Sequence, residues 1–418
     1  MFPAFSTALS ALNADSAAID VTGNNLANLN TTGFKSSQVE FSELMSQSLG
    51  VGTNPGQVGL GVGQIQTAAM YTQGAITTTN APLDVAIQGN GFFVVNDPST
   101  NQQLYTRDGI FQVDSSGDLQ TATGQYVQGW NEVNGVVNTN GPVGNIHLPL
   151  GATIPATPTA NMSMEINLNA EATTGSTQGT FSAPIQVYDS LGAAHTLTVT
   201  FTQTAANTWS YSVTIPATDV TGTGTPAPLA TGTLNFDSSG NLTSPKAGAP
   251  VAVKITGLAD GAADQTINWN LFDGSGNALV SQFAQASALS SPQQDGAAAG
   301  QITNVSLQNG GTIVATYSNG KQATVGQLAI ASIGNPETLI SLGDNNLQPS
   351  ATTAQAAIGA ANTGGRGQVL AGSLESSTSD MATEFTNLLT YERSYQAASR
   401  VITTSDQLLQ ETVNLIHP

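Results

Sequence analysis

The chain has three histidines, His147, His195 and His417, and they lie far apart in sequence. Imidazole is the usual acid–base group and zinc ligand near neutral pH, so their spacing decides much. No His-Glu-x-x-His pair sets two rings on one helical face, as a zinc hydrolase of that type requires. A Gly-x-Ser-x-Gly elbow and a phosphate-cradling Gly-Lys-Ser/Thr loop are both missing. The run Gly59-x-Gly61-x-Gly63 lacks the dinucleotide-binding spacing and reads as a structural loop.

Carboxylates remain, and a glycosidase needs only two of them. Trp130, Trp209 and Trp269 are few for a sugar-stacking platform, and nothing assigns a pair of acids to acid and base roles. One acidic phrase recurs, at Asp114-Ser115-Ser116-Gly117-Asp118-Leu119 and Asp237-Ser238-Ser239-Gly240-Asn241-Leu242. It lacks the spaced carboxylates and closing Glu of a calcium loop, so the expectation is a turn capped by Asp with Gly at positive φ. The residues thus point to no enzyme: no catalytic residues, no cofactor and no metal.

Composition narrows the class. A formal charge of −19, from 27 acidic against 8 basic residues, repels nucleic acid and anionic membranes. With 8% charged residues the chain is nonetheless not a disordered acidic one. The absence of cysteine excludes disulfides and thiolate chemistry. No run reaches the roughly 18 apolar residues of a membrane span, so no membrane insertion is expected. The first basic residue is Lys35, and Asp15 and Asp20 interrupt the leading apolar stretch, so a cleaved signal peptide is not expected either.

The elements that would position any site are mostly strands. Alternating patterns predict strands around 83–87, 92–95, 105–113, 119–130, 185–188, 196–202, 209–215, 232–236 and 251–255. Asn319-Gly320 predicts a hairpin between 312–317 and 322–331. A short helix-like piece is expected at Val39, Phe41, Leu44 and Met45. Helices are predicted at about 2–28 and 376–416, the latter about 60 Å long.

Both helices carry heptads. Phe5, Leu12, Ile19 and Leu26 recur every seven residues, with Phe2 and Leu9 at the offset positions. Met381, Leu388, Tyr395, Ile402, Leu409 and Ile416 do the same at the other end, with Phe385 beside them. A seven-residue apolar repeat faces a helical partner. These residues are the expected assembly seam, labile in the monomer and ordered in a polymer; packing on the chain's own middle is the plainer reading.

Three motifs carry a resemblance. Asn25-Leu26-Ala27-Asn28-Leu29-Asn30-Thr31-Thr32-Gly33-Phe34-Lys35 resembles the N-terminal signature of bacterial flagellar rod and hook proteins. Gly89-Asn90-Gly91-Phe92-Phe93-Val94-Val95, followed by Tyr105-Thr106-Arg107-Asp108-Gly109, is similar to the start of that family's β-rich domain. Glu384-Phe385 and the run from Tyr391 through Arg393 and Gln396 to Ile402 resemble its closing helix. The length, with an insert at 151–299, is similar to the hook members. Two departures stand out. Ser377-Thr378-Ser379-Asp380 replaces the family's usual Ser-Asn-Val-Asp, and Glu392 replaces a usual Gln.

The resemblance implies an α+β, multi-domain chain: paired, coiled-coil-like terminal helices with two β-rich, barrel- or sandwich-like domains inserted between them. Residues 1–30 and 372–418 would form the helical assembly core, and 31–75 with 350–371 an extended connector. Residues 76–150 with 300–349 would form an inner β-rich domain, and 151–299 an outer one. The function implied is a subunit of the hook, a bent tube that transmits torque from rod to filament and encloses an export channel. Its implied partners are itself, the rod protein, the hook cap, the hook–filament junction proteins and the type III export apparatus. Its implied place is the extracellular flagellum. A distal rod subunit and a secreted β-rich carbohydrate-active or binding protein are the alternatives.

Overall fold

The computed structural model describes residues 3–44, 47–49, 56–133, 135–151, 153–221 and 227–416; Phe2, Met45 and His417 lie outside them. Two helices stand at the two ends, α1 (Pro3–Ala27) and α2 (Met381–Ile416), and the intervening elements are strands and short 3-10 turns. The chain divides into two units. Unit 1 comprises Met1–Leu150, Val305–Ala315 and Ala323–Pro418; unit 2 comprises Gly151–Asn304 and Thr316–Gln322.

In unit 1, α1 is rich in Ala and keeps Gly out of its first five turns, which favours helix. It stops where Asn28 turns back, its N–H donating to Asn24 O at 3.2 Å. At the other end Asp380 caps α2, its Oδ1 accepting from the Thr383 N–H at 2.9 Å. The departure at 377–380 therefore keeps a working cap.

Between the helices, strand Phe92–Asn96 pairs with Gln103–Thr106 and with Tyr126–Val133. Its side chains Phe92 and Val94 enter a core with Tyr105, Trp130, Ala329 and Ala331. The described part of the expected helix-like piece, 39–44, is not helix-like. Ser37–Glu40 is a strand paired with Gln66–Ala69, and β-branched Val39 sits opposite Thr67. Two short strands within 350–371 also pair: Ala357–Gly359 with Ile330–Ser332, and Gln368–Ala371 with Val85–Gln88.

Unit 2 has two five-stranded sheets. In one, Thr180–Tyr188, Ala194–Ala205, Thr208–Thr214, Ala230–Phe236 and Leu242–Ser244 follow one another in antiparallel order. In the other, Asn161–Asn169 pairs in parallel with Gln265–Asn270 and Val280–Phe283 and antiparallel with Ala288–Gln294. Alternate residues of both sheets close one core around the fully buried Phe201, Trp209 and Trp269. The recurring acidic phrase is a turn in both units. Asp114 Oδ1 accepts from Ser116 and Asp118 N–H at 2.8 Å, and Asp237 Oδ1 from Ser239 and Asn241 N–H at 2.8 and 2.9 Å. Gly117 and Gly240 take φ of 94° and 82°.

Candidate assembly site

Where α1 ends, the N-terminal motif folds into a set of buried polar contacts. Asn25, buried, uses both amide hydrogens and its carbonyl oxygen: its Oδ1 accepts from Ser37 N–H at 2.9 Å. Its Nδ2 donates to Ser37 O at 2.8 Å and to Glu384 Oε1 on α2 at 3.0 Å. Asn28 holds the turn, donating to Asn24 O at 2.9 Å and accepting from the Thr31 hydroxyl at 3.0 Å. Gly33 follows with φ of 70°, and a Cβ there would stand 2.6 Å from the Arg107 carbonyl carbon. Only glycine fits both the angle and the approach.

Glu375 is the centre of the site. Its Oε1 accepts from Lys35 Nζ at 2.6 Å and from Gly74 N–H at 2.8 Å, and its Oε2 from Arg107 at 3.0 Å. Its backbone O accepts from Gly33 N–H at 2.8 Å. Lys35 also donates to Thr72 O at 2.7 Å, and Arg107 to Gly89 O at 2.7 Å while standing 5.4 Å above the Phe92 ring. All three charged side chains are buried, Glu375 completely. Burial pulls the Lys35 ammonium and the Arg107 guanidinium below their ordinary pKa values, with Glu375 opposing the shift in each case. For Glu384, burial raises the carboxyl above its usual range, against the Asn25 bond. Such a knot, in which both Glu375 oxygens are engaged while Arg107 Nε is buried without a partner, can position chain segments.

Above the knot, α1 and α2 are in contact. The buried residues of α1 include Ala8, Asp15 and Thr22, seven apart, and Ala18 and Asn25, also seven apart. On α2, Glu384 and Ala398 are buried, with Tyr391 and Ser405 half-buried at the same spacing. The large apolar residues of the predicted seam flank these lines. Phe5, Leu12, Ile19, Leu26, Leu388, Ile402 and Leu409 are half-buried. Leu9 is 46% exposed, Met381 65%, Phe385 54% and Tyr395 41%. Ile416 closes α2.

Of the other motif residues, Tyr391 meets Phe41 at 6.1 Å between ring centroids. Gln396 donates to Glu392 Oε1 at 3.1 Å. Asn30 is exposed, as is Arg393, which makes no ion pair among the described residues. Phe34 O accepts from Thr378 N–H at 3.1 Å, so the motif reaches the lead-in to α2. Sequence reading missed Glu375. The available signal was that two of only eight cations, Lys35 and Arg107, fall inside the first two motifs and must find an anion if buried.

Family models match four stretches. Residues 5–35 match the flagella basal body rod protein, and 86–183 the flagellar hook protein FlgE/F/G D1 domain. Residues 156–297 match the flagellar basal body protein FlaE D2 domain, and 370–415 the flagellar basal body rod FlgEFG protein C-terminal region. The flagellar hook protein FlgE of Treponema pallidum is 34% identical over 95% of this chain and 96% of its own length. That of Salmonella typhimurium is 33% identical over 98% of this chain and 99% of its own, and that of Escherichia coli 32% over 99% and 100%. A solved structure, Helicobacter pylori flagellar hook protein FlgE2, aligns over 65% of this chain and 93% of its own at 14% identity and a TM-score of 0.47. Identity above 30% over nearly the full length of both chains decides the matter: the chain belongs to the flagellar hook protein family.

Proposed function

We propose that this subunit polymerises through its two ends, with α1 and α2 paired as a coiled-coil-like core that forms the inner wall of the hook tube. The observation that carries the reading is the apolar shoulder on both helices. Small and polar residues occupy the line buried within one subunit, while Leu9, Met381, Phe385 and Tyr395 stay exposed beside it. Covering one such side chain contributes roughly 1.5–3 kcal/mol, so neighbouring copies that cover them all would gain a cohesive seam. The Glu375 knot sets the direction in which the helix pair leaves the β-rich body. Residues 31–75 and 350–371 would serve as its connector, with 76–150 and 300–349 as the inner domain and 151–299 as the outer one. The function is structural, without catalysis, and its place is the flagellum outside the cell. Rod protein, hook cap, junction proteins and the type III export apparatus would be the further partners.

Bending requires subunits to change spacing, so outer contacts should slide. The outer strands expose mainly Thr, Ser, Gln and Asn, which make weak, exchangeable contacts. Electron microscopy of protein polymerised in high salt tests the reading. Curved tubes are expected; straight tubes would favour a rod subunit, and no tubes a secreted binding protein. Deleting residues 1–30 should abolish tubes while unit 2 keeps its thermal transition.

A further inference from the structure

His195, in unit 2, is buried and stands among three carboxylates that the assembly reading does not use. Its Nδ1 lies 3.0 Å from Asp219 Oδ2, and its Nε2 lies 3.2 Å from Asp189 Oδ2 and 3.7 Å from Asp260 Oδ2. A neutral imidazole has one donor and one acceptor nitrogen. Here both nitrogens face carboxylate oxygens, so only the imidazolium satisfies the site; a neutral ring would turn a lone pair on an anion. Every ion pair of unit 2 among the described residues passes through this ring. Lys246, Lys254 and Lys321 pair with none of the three acids.

Each acid belongs to a different turn. Asp189 Oδ1 accepts from Leu191 and Ala193 N–H, both at 2.8 Å, and so shapes the turn before strand Ala194–Ala205. Asp219 ends a 3-10 turn, and its O accepts from Ala259 N–H at 3.0 Å. Asp260 Oδ1 accepts from Ala262 N–H at 3.0 Å, and Ala263 N–H donates to the Ser190 hydroxyl at 3.0 Å. The three turns therefore meet at one imidazole.

We propose that His195 is a proton-operated clasp: the charged ring holds the turns at 189–193, 217–221 and 257–263 together, and its deprotonation releases them. Burial works against the charge on the ring, but Asp219 and Asp189 outweigh it and hold its pKa above the ordinary value. For Asp189, burial pushes up, yet contacts with Asp260, His195 and the two amides hold the carboxyl below the usual range. The signs follow. A raised imidazole contributes stability that is complete below about pH 6.5 and is lost as pH rises through its folded pKa. A lowered carboxyl contributes stability present above about pH 3.9 and lost as pH falls through its folded pKa. The clasp is closed between these limits and opens on the alkaline side.

The test uses the full chain with a chelator present, so that no adventitious metal replaces the proton. NMR follows the ring signal that His195→Gln removes, and hydrogen exchange follows the Ala193, Thr221 and Ala259 amides. The ring should titrate above about pH 6.5. Beyond that midpoint the three amides should lose protection, up to about tenfold for each pH unit by which the midpoint exceeds the ordinary value. In His195→Gln their protection, corrected for intrinsic rates, should no longer change with alkaline pH. A ring midpoint at or below 6.5, or the same alkaline loss of protection in the variant, overturns the proposal. Should that variant fail to fold, Asp219→Asn takes its place: it should lower the ring midpoint, and an unchanged midpoint overturns the clasp.

Discussion

The sandwich of unit 2 and the helix pair of unit 1 solve the burial problem in opposite ways. In unit 2 the large side chains go inside: Phe201, Trp209 and Trp269 are fully buried, and Tyr211 and Phe201 set their edges against Trp269 at centroid distances of 5.2 and 6.1 Å. In the helix pair the small residues go inside and the large ones stay at the margin, as with Ala18 buried and Phe385 exposed. The first arrangement is complete in one copy. The second leaves apolar surface exposed, which the proposed tube would cover with another copy.

Five substitutions would break or sharpen that contrast. Phe201→Ala should destabilise unit 2 by about 3–5 kcal/mol, as core truncations do, and leave the unfolding of unit 1 in place; denaturant titration followed by Trp fluorescence and helical circular dichroism separates the two. Glu375→Gln should have the converse effect. Lys35 and Arg107 would remain buried without their anion, at about 3–5 kcal/mol, with unit 2 unmoved. If both substitutions weaken both units equally, the contrast is wrong. Asn25→Ala should cost about 1–3 kcal/mol by leaving the buried Glu384 carboxylate without a donor, read as earlier melting of the helical signal. The smallest effect on the monomer belongs to the pair Leu9→Ser and Phe385→Ser, within about 0.5 kcal/mol each. Yet the same pair should abolish sedimentable tubes. Tubes of normal yield would mean the apolar shoulder is not what joins the copies.

Much of this architecture is legible in the sequence alone. The heptads placed α1 within a residue of its observed ends, because a strict seven-residue repeat admits one periodicity. Asn319-Gly320 marked its hairpin, with Gly320 at φ of 79° and its N–H donating to Tyr317 O at 2.9 Å. The same reasoning started α2 too early, since residues 376–380 are the lead-in that Asp380 ends as cap. It also weighted large apolar residues, and so it picked out Ile19 and Leu26 for the helix contact and passed over Ala18, while Asn25 entered only as a motif residue. A seam of Ala, Thr and Asn leaves no mark on a hydrophobic pattern. Partners across long separations were equally silent. Period-two alternation assigns a face to Asn161–Asn169 but not its two parallel neighbours, and nothing near Glu375 announces that Lys35 and Arg107 converge on it.

The Glu375 knot also fixes an order of events. Its anion and Lys35 are 340 residues apart along the chain, and Arg107 is 268 away. A contact of such separation closes late, because the intervening segments must first be brought together. For a chain emerging from a ribosome, or threaded through any narrow conduit, the ionic centre cannot form until nearly every residue is free. Unit 2, whose sheets pair within 151–322, has no need to wait. The subunit therefore carries its own timer: its middle is free to fold as it arrives, and the geometry of its ends is set only when the last helix has been delivered.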